Sequence, residues 1–164
     1  MKAHFQTFAA YNRWANDRLY AAAAGLSEAE FVEDRGAFFG SMSGTLNHIL
    51  VADRIWLRRI TGEGPQPKAL NEILHPDLPG LCAARQTEDE RLVRTIDAMD
   101  EERIAGTLAY RTTTGEPFEQ PLALVLAHLF NHQTHHRGQA HTLLSLHGRN
   151  PPPLDLLYYL REVA

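Results

Sequence analysis

Six histidines, His128, His132, His135, His136, His141 and His147, fall between positions 128 and 147, and the chain's nine histidines stand against a single cysteine, Cys82. Imidazole carries protons near neutral pH and ligates transition metals. Two histidines four residues apart on a helix lie on one face, one turn apart, and can offer two nitrogens to one ion. His128/His132 and His132/His136 have that spacing, whereas the neighbours His135 and His136 diverge by about 100°. The apolar residues Leu122, Val125, Leu126, Leu129, Ala140, Leu143 and Leu144 mark the core face of this segment. On a helical wheel His136 lies about 30° from the middle of that stripe and His132 about 70°; His128 and His135 lie beyond about 100°. His132 and His136 are therefore the inward pair, although such a pair is also common on helix surfaces. A catalytic site of the zinc type takes three protein ligands and leaves a position for water or substrate. Spacing leaves three candidates for the third: His4 near the terminus, His75 beside Pro76, and His48. The last sits off the main apolar stripe of its own helix and equally reads as a core histidine with a satisfied hydrogen bond.

The elements that must carry these residues are helical. Phe5, Phe8, Ala9, Trp14, Ala15 and Leu19 recur at helical spacing over Ala3 to Ala24, ahead of Gly25. Ser41 or Ser43 can cap a second helix carrying Leu46, Ile49, Leu50, Trp56, Leu57 and Ile60 as far as Gly62. A loop with Gly64, Pro65 and Pro67 follows. Thr87 and Glu90 have capping-box spacing, but Leu78 to Gln86 also reads as helix, so one helix is expected from Leu78 to Met99. Thr107 to Gln120, with the run Thr112–Thr114, Gly115 and Pro117, reads as a hairpin or extended loop. The histidine-bearing helix starts near Pro121, with the proline in its first turn, and stops at Gly148. After Pro151–Pro153 a short closing helix fits Leu154 to Val163. Four amphipathic stretches with long connections predict an all-α four-helix bundle with at least one long crossover.

Composition narrows the function class. The chain has 164 residues, about one domain, so residues 1–164 are expected to fold as a single unit. Its formal net charge is −4 with no long basic run, which argues against nucleic acid as partner. The apolar runs are too short to span a bilayer, and the N-terminus lacks a signal-peptide core, so no membrane association and a cytoplasmic location are expected. One cysteine excludes an intrachain disulfide and a cysteine-based zinc cluster.

Four segments together resemble the DinB family. They are Tyr11-Asn12-Arg13-Trp14-Ala15-Asn16; Thr45-Leu46-Asn47-His48-Ile49-Leu50 followed by Ala52-Asp53; His132-Gln133-Thr134-His135-His136-Arg137-Gly138-Gln139; and Pro152-Pro153-Leu154-Asp155-Leu156-Leu157. The resemblance covers nearly the whole chain in order. It implies a four-helix bundle with one divalent metal ion held by three histidines, which by position are His48, His132 and His136. It implies relatives that transfer or isomerise small substrates with a low-molecular-weight thiol, relatives without assigned activity, and homodimers.

Three neutral imidazoles leave the ion's charge uncompensated, so it can lower the pKa of bound water or stabilise a thiolate. The expected function is metal-dependent activation of water or a thiol cosubstrate for attack on a small-molecule electrophile. The alternative is a non-catalytic metal-binding stress-response or interaction module. Imidazole suits zinc, nickel, iron and copper; zinc or nickel is the expected ion. Ligating imidazoles need a partner on their other nitrogen, and Asn47, Asp53 and Gln139 are near in sequence. Asp53 otherwise reads as a salt bridge to Arg13 or Arg137, Arg137 as a surface ion pair or an anchor for an anionic substrate, and Cys82 as a small buried residue.

Overall fold

The computed structural model describes residues 1–164. Its elements are α1 (Lys2–Ala23), α2 (Glu28–Val32), α3 (Met42–Thr61), α4 (Leu78–Ala98), α5 (Glu101–Ala105), β1 (Thr107–Arg111), β2 (Pro117–Pro121), α6 (Leu122–Leu146) and α7 (Leu156–Glu162). The four long helices coincide with the four expected ones. Ser41 Oγ accepts the Gly44 N–H to start α3, and Gly62, at φ 80°, ends it. Asp77 caps α4 through Gly80, with Pro79 in the first turn. One continuous helix therefore runs through Thr87 and Glu90. Pro121 closes β2 and caps α6 instead of entering its first turn. The short α2 opens on a full capping box, Ser27 with Glu30. β1 and β2 form an antiparallel hairpin, Thr107 opposite Pro121.

Helices α1 and α3 each pack on both α4 and α6, so α1 and α3 are diagonal in the bundle. Two apolar clusters fill it. One holds Phe5, Leu57, Ile96 and Leu126; the other holds Leu19, Leu46, Leu81 and Leu144. Burying each such side chain contributes about 1.5–3 kcal/mol. The first cluster meets α1 and α6 near their N-termini, but α3 and α4 near their C-termini. Hence α1 and α6 run one way and α3 and α4 the other. Two parallel neighbours, α3 and α4, need a connection that travels the length of the bundle, and the segment between Thr61 and Leu78 is that crossover.

Between the clusters lies a polar layer. Arg85 Nη1 donates to Asp53 at 2.6 Å and its Nε to Asp89 at 3.0 Å. Asn12 and Asn16 donate to Asp89 at 3.2 and 3.0 Å. Arg137 donates to Asn12 and Gln133, and Gln133 donates to Asp53, which closes a ring of side chains from all four long helices. Every member is buried. Burial alone would lower the Arg85 pKa, but the flanking Asp89 and Asp53 carboxylates outweigh it and push it up. Asp53 thus pairs with Arg85 and with neither Arg13 nor Arg137, and Arg137 is a buried ring member, not a surface ion pair. Cys82 is only half-buried.

Candidate metal centre

The crossover explains how the site is built. His48 sits in the second turn of α3, and the segment returning to the start of α4 must pass over it. Leu70, in that segment, presents its backbone oxygen 2.8 Å from His48 Nδ1. Asn47 holds the same segment in place. Its Oδ1 accepts the Leu74 and His75 N–H groups at 2.9 and 3.0 Å, and its Nδ2 donates to the His75 oxygen at 3.0 Å. On α6, His136 Nδ1 lies 2.7 Å from Gln139 Oε1.

A backbone oxygen and an amide oxygen can only accept, so Nδ1 is the protonated nitrogen in both His48 and His136. In the neutral ring Nε2 is then a bare lone pair. His48 Nε2 lies 3.2 Å from His132 Nε2. Ligand nitrogens of His48, His132 and His136 all lie within 4.8 Å of one another. This donor set fits a divalent ion: three neutral nitrogens converge, and two have an acceptor behind them. Burial, then the neighbouring His136, His48 and His128, push the His132 pKa down to about 3. Burial also lowers those of His48 and His136.

Phe39 closes one side. Its ring stacks on His48 with centroids 3.8 Å apart, and meets His136 edge-on at 5.5 Å. A Cβ on Gly44 would come within 2.0 Å of the Phe39 carbonyl oxygen, so glycine there lets the first turn of α3 approach the residue that lids the site. Phe38 packs edge-on against Phe39 and is exposed, as are Leu70 and Ile73 in the crossover segment. No carboxylate joins the cluster.

The remaining histidines go elsewhere. His4 packs on Phe5 and Phe8, and the His75 backbone belongs to the Asn47 clamp. His128 and His135 lie on the exposed face of α6, against Trp56 and His136. His141 donates to the Pro152 oxygen, and His147 is buried with Glu33 at 3.7 Å. Of the residues near in sequence, Gln139 supports an imidazole directly, Asn47 acts through the crossover segment, and Asp53 belongs to the polar ring. The sequence reading missed the ring itself. Its signal was present: Asn12/Asn16, Arg85/Asp89 and Gln133/Arg137 are three polar pairs at i,i+4 along core-facing stripes.

Comparison with known proteins agrees with this architecture. The model of the DinB family matches residues 1–163. Protein DinB of Bacillus subtilis is 24% identical over 166 residues, covering 92% of this chain and 90% of that protein. A DinB-like protein from Bacillus cereus superposes with a TM-score of 0.67 at 16% identity, covering 85% of this chain and 89% of the other. YfiT from Bacillus subtilis superposes with a TM-score of 0.64 at 15% identity, covering 92% and 91%. It is described as a probable metal-dependent hydrolase with an unusual four-helix bundle topology. With a family match running almost end to end, this chain belongs to the DinB family.

Proposed function

We propose that His48, His132 and His136 hold one divalent ion, zinc or nickel, and that the protein is an enzyme acting on a small electrophilic substrate. The observation that carries this reading is the pair of Nδ1 contacts, Leu70 O to His48 and Gln139 Oε1 to His136. They leave the other nitrogen of each ring as a lone pair in a cluster of three converging imidazoles, which a bound cation would satisfy together. When bound, the ion would supply a Lewis acid whose charge no protein carboxylate offsets, suited to generating hydroxide or thiolate near neutral pH. The attacking group is then water or a low-molecular-weight thiol. Phe39 excludes water from one side of the imidazoles, and the exposed Phe38, Leu70 and Ile73 offer an apolar rim for the electrophile.

The metal-loaded protein, offered epoxides and alkyl halides with several cellular thiols, should yield a hydrolysis product or thiol adduct above the His136→Ala background. If metal binds and no product appears across a broad panel, the protein is a metal-binding module and not an enzyme. No helix is long and apolar enough to cross a membrane. A homodimer is part of the same proposal, supported by α7, which leaves Leu157 and Leu160 exposed; sedimentation at micromolar concentration tests it, and a monomer there contradicts it.

A further inference from the structure

The C-terminal tail does not close fully on the bundle. Its end is held where Trp14 and Arg18 donate to Glu162, and ahead of that Tyr11 Oη donates to the Leu154 oxygen at 2.7 Å and His141 Nε2 to the Pro152 oxygen at 3.1 Å. Around the latter two ties lies a cleft of about 690 Å³, walled by Phe8 and Tyr11 of α1, Gly138 of α6, and Leu154 and Leu156 of the tail. It opens on the face of α6 turned toward α1, whereas His132 and His136 turn toward His48 on α3.

Three features of this cleft point to one kind of ligand. The first is Arg137, which lines it and is buried. Its acceptors are the amide oxygens of Asn12, Asn16 and Gln133 and the hydroxyl of Thr134. It has no direct ion pair: the Asp53 and Asp89 carboxylates of the ring reach it only through Gln133, Asn12 and Asn16, so a carboxylate in the cleft would be its first direct charged partner. The second is direction. Nη2 bonds to Thr134, an exposed residue of the cleft wall, which places that edge of the guanidinium toward the opening. The third is Gly138. It interrupts the middle of a 25-residue helix at a cost in helix propensity. Neither a positive φ nor a close neighbour requires glycine there, since an added Cβ would meet nothing within 4 Å. What the missing side chain preserves is the space of the cleft.

We propose that this cleft binds a small organic monocarboxylate, its carboxylate on the Arg137 guanidinium and its apolar body against Phe8, Tyr11 and Leu154. An Arg–carboxylate contact supplies charge and a two-pronged hydrogen-bond geometry together. Asp155 also lines the cleft but is exposed. Water and salt screen it far more than the buried guanidinium, and its charge selects against ligands with a second negative group. The site is independent of the histidine triad.

The test uses benzoate as probe and backbone amide NMR of the full chain. Benzoate should bind saturably, shifting the Tyr11, Thr134 and Gly138 amides. His48→Ala, which dismantles the triad, should bind equally well. Gly138→Leu should weaken binding at least about tenfold, because the side chain fills the cleft while leaving the Arg137 partners in place. Gly138→Ala, which helix formation favours, gives a folded variant with a smaller loss. Benzyl alcohol, the same body without charge, should bind at least about tenfold more weakly than benzoate. The proposal is overturned if benzoate does not saturate these shifts, if both Gly138 variants bind as wild type, if benzyl alcohol binds as well, or if His48→Ala abolishes binding, which would place the carboxylate at the triad.

Discussion

Gln139 Oε1 lies 2.7 Å from His136 Nδ1, less than one helical turn further along α6. That contact assigns the proton to Nδ1 and leaves Nε2 free to face His48 and His132. Replacing Gln139 by Ala should therefore leave the fold intact and lower metal affinity about 10–100-fold, the usual effect of removing a ligand's outer partner. Competition against a chelator of known affinity measures it. Unchanged affinity would mean that packing alone orients His136.

Asn47 touches no imidazole, yet it makes three hydrogen bonds to the crossover segment that brings Leu70 to His48. Asn47→Ala should cost about 1–3 kcal/mol of stability for the unpaired groups left behind. It should also speed hydrogen exchange at the Leu74 and His75 amides and weaken metal binding. Faster exchange with undiminished metal affinity would separate the clamp from the site.

The polar ring predicts a contrast between single and paired substitutions. Asp53→Ala leaves Arg85 buried between fewer partners and should cost about 3–5 kcal/mol in urea unfolding. Asp53→Leu with Arg85→Met removes both charges and should recover much of that loss, provided Gln133 and Asp89 keep their remaining partners.

Metal-free protein should be acid-sensitive through His132. Its folded pKa is about 3 and its unfolded value about 6.5, so below that value the unfolded chain binds a proton the folded chain refuses. Stability is then lost as pH falls from about 6.5 toward 3. Burial pushes Asp53 up instead, which gives the opposite sign, so the comparison is with His132→Ala: its Tm should fall less than wild type between about pH 7.5 and pH 5. An equal fall would remove His132 as the cause.

The sequence made the helices legible because apolar spacing, Ser41, Gly62 and Gly148 all mark them locally. It also made the inward pair legible, since His132 and His136 share a helix whose stripe fixes their direction. His48 was different. Its direction depends on Phe39 stacking from one connection and Leu70 arriving from another, contacts between segments far apart in the chain, and family resemblance supplied it where periodicity could not. The partners of Asp53 and Arg137 escaped for the same reason. A buried ring closes only when four helices meet, and no local pattern says which arginine meets which carboxylate.

Metal binding at the triad is the central claim, and stoichiometry with its removal by mutation tests it most directly. Purified protein, reconstituted with zinc or nickel and analysed by native mass spectrometry, should carry about one ion per chain. His48→Ala, His132→Ala and His136→Ala should each carry much less. Wild-type protein holding less than about half an equivalent after reconstitution, or single variants that retain a full equivalent, would contradict it.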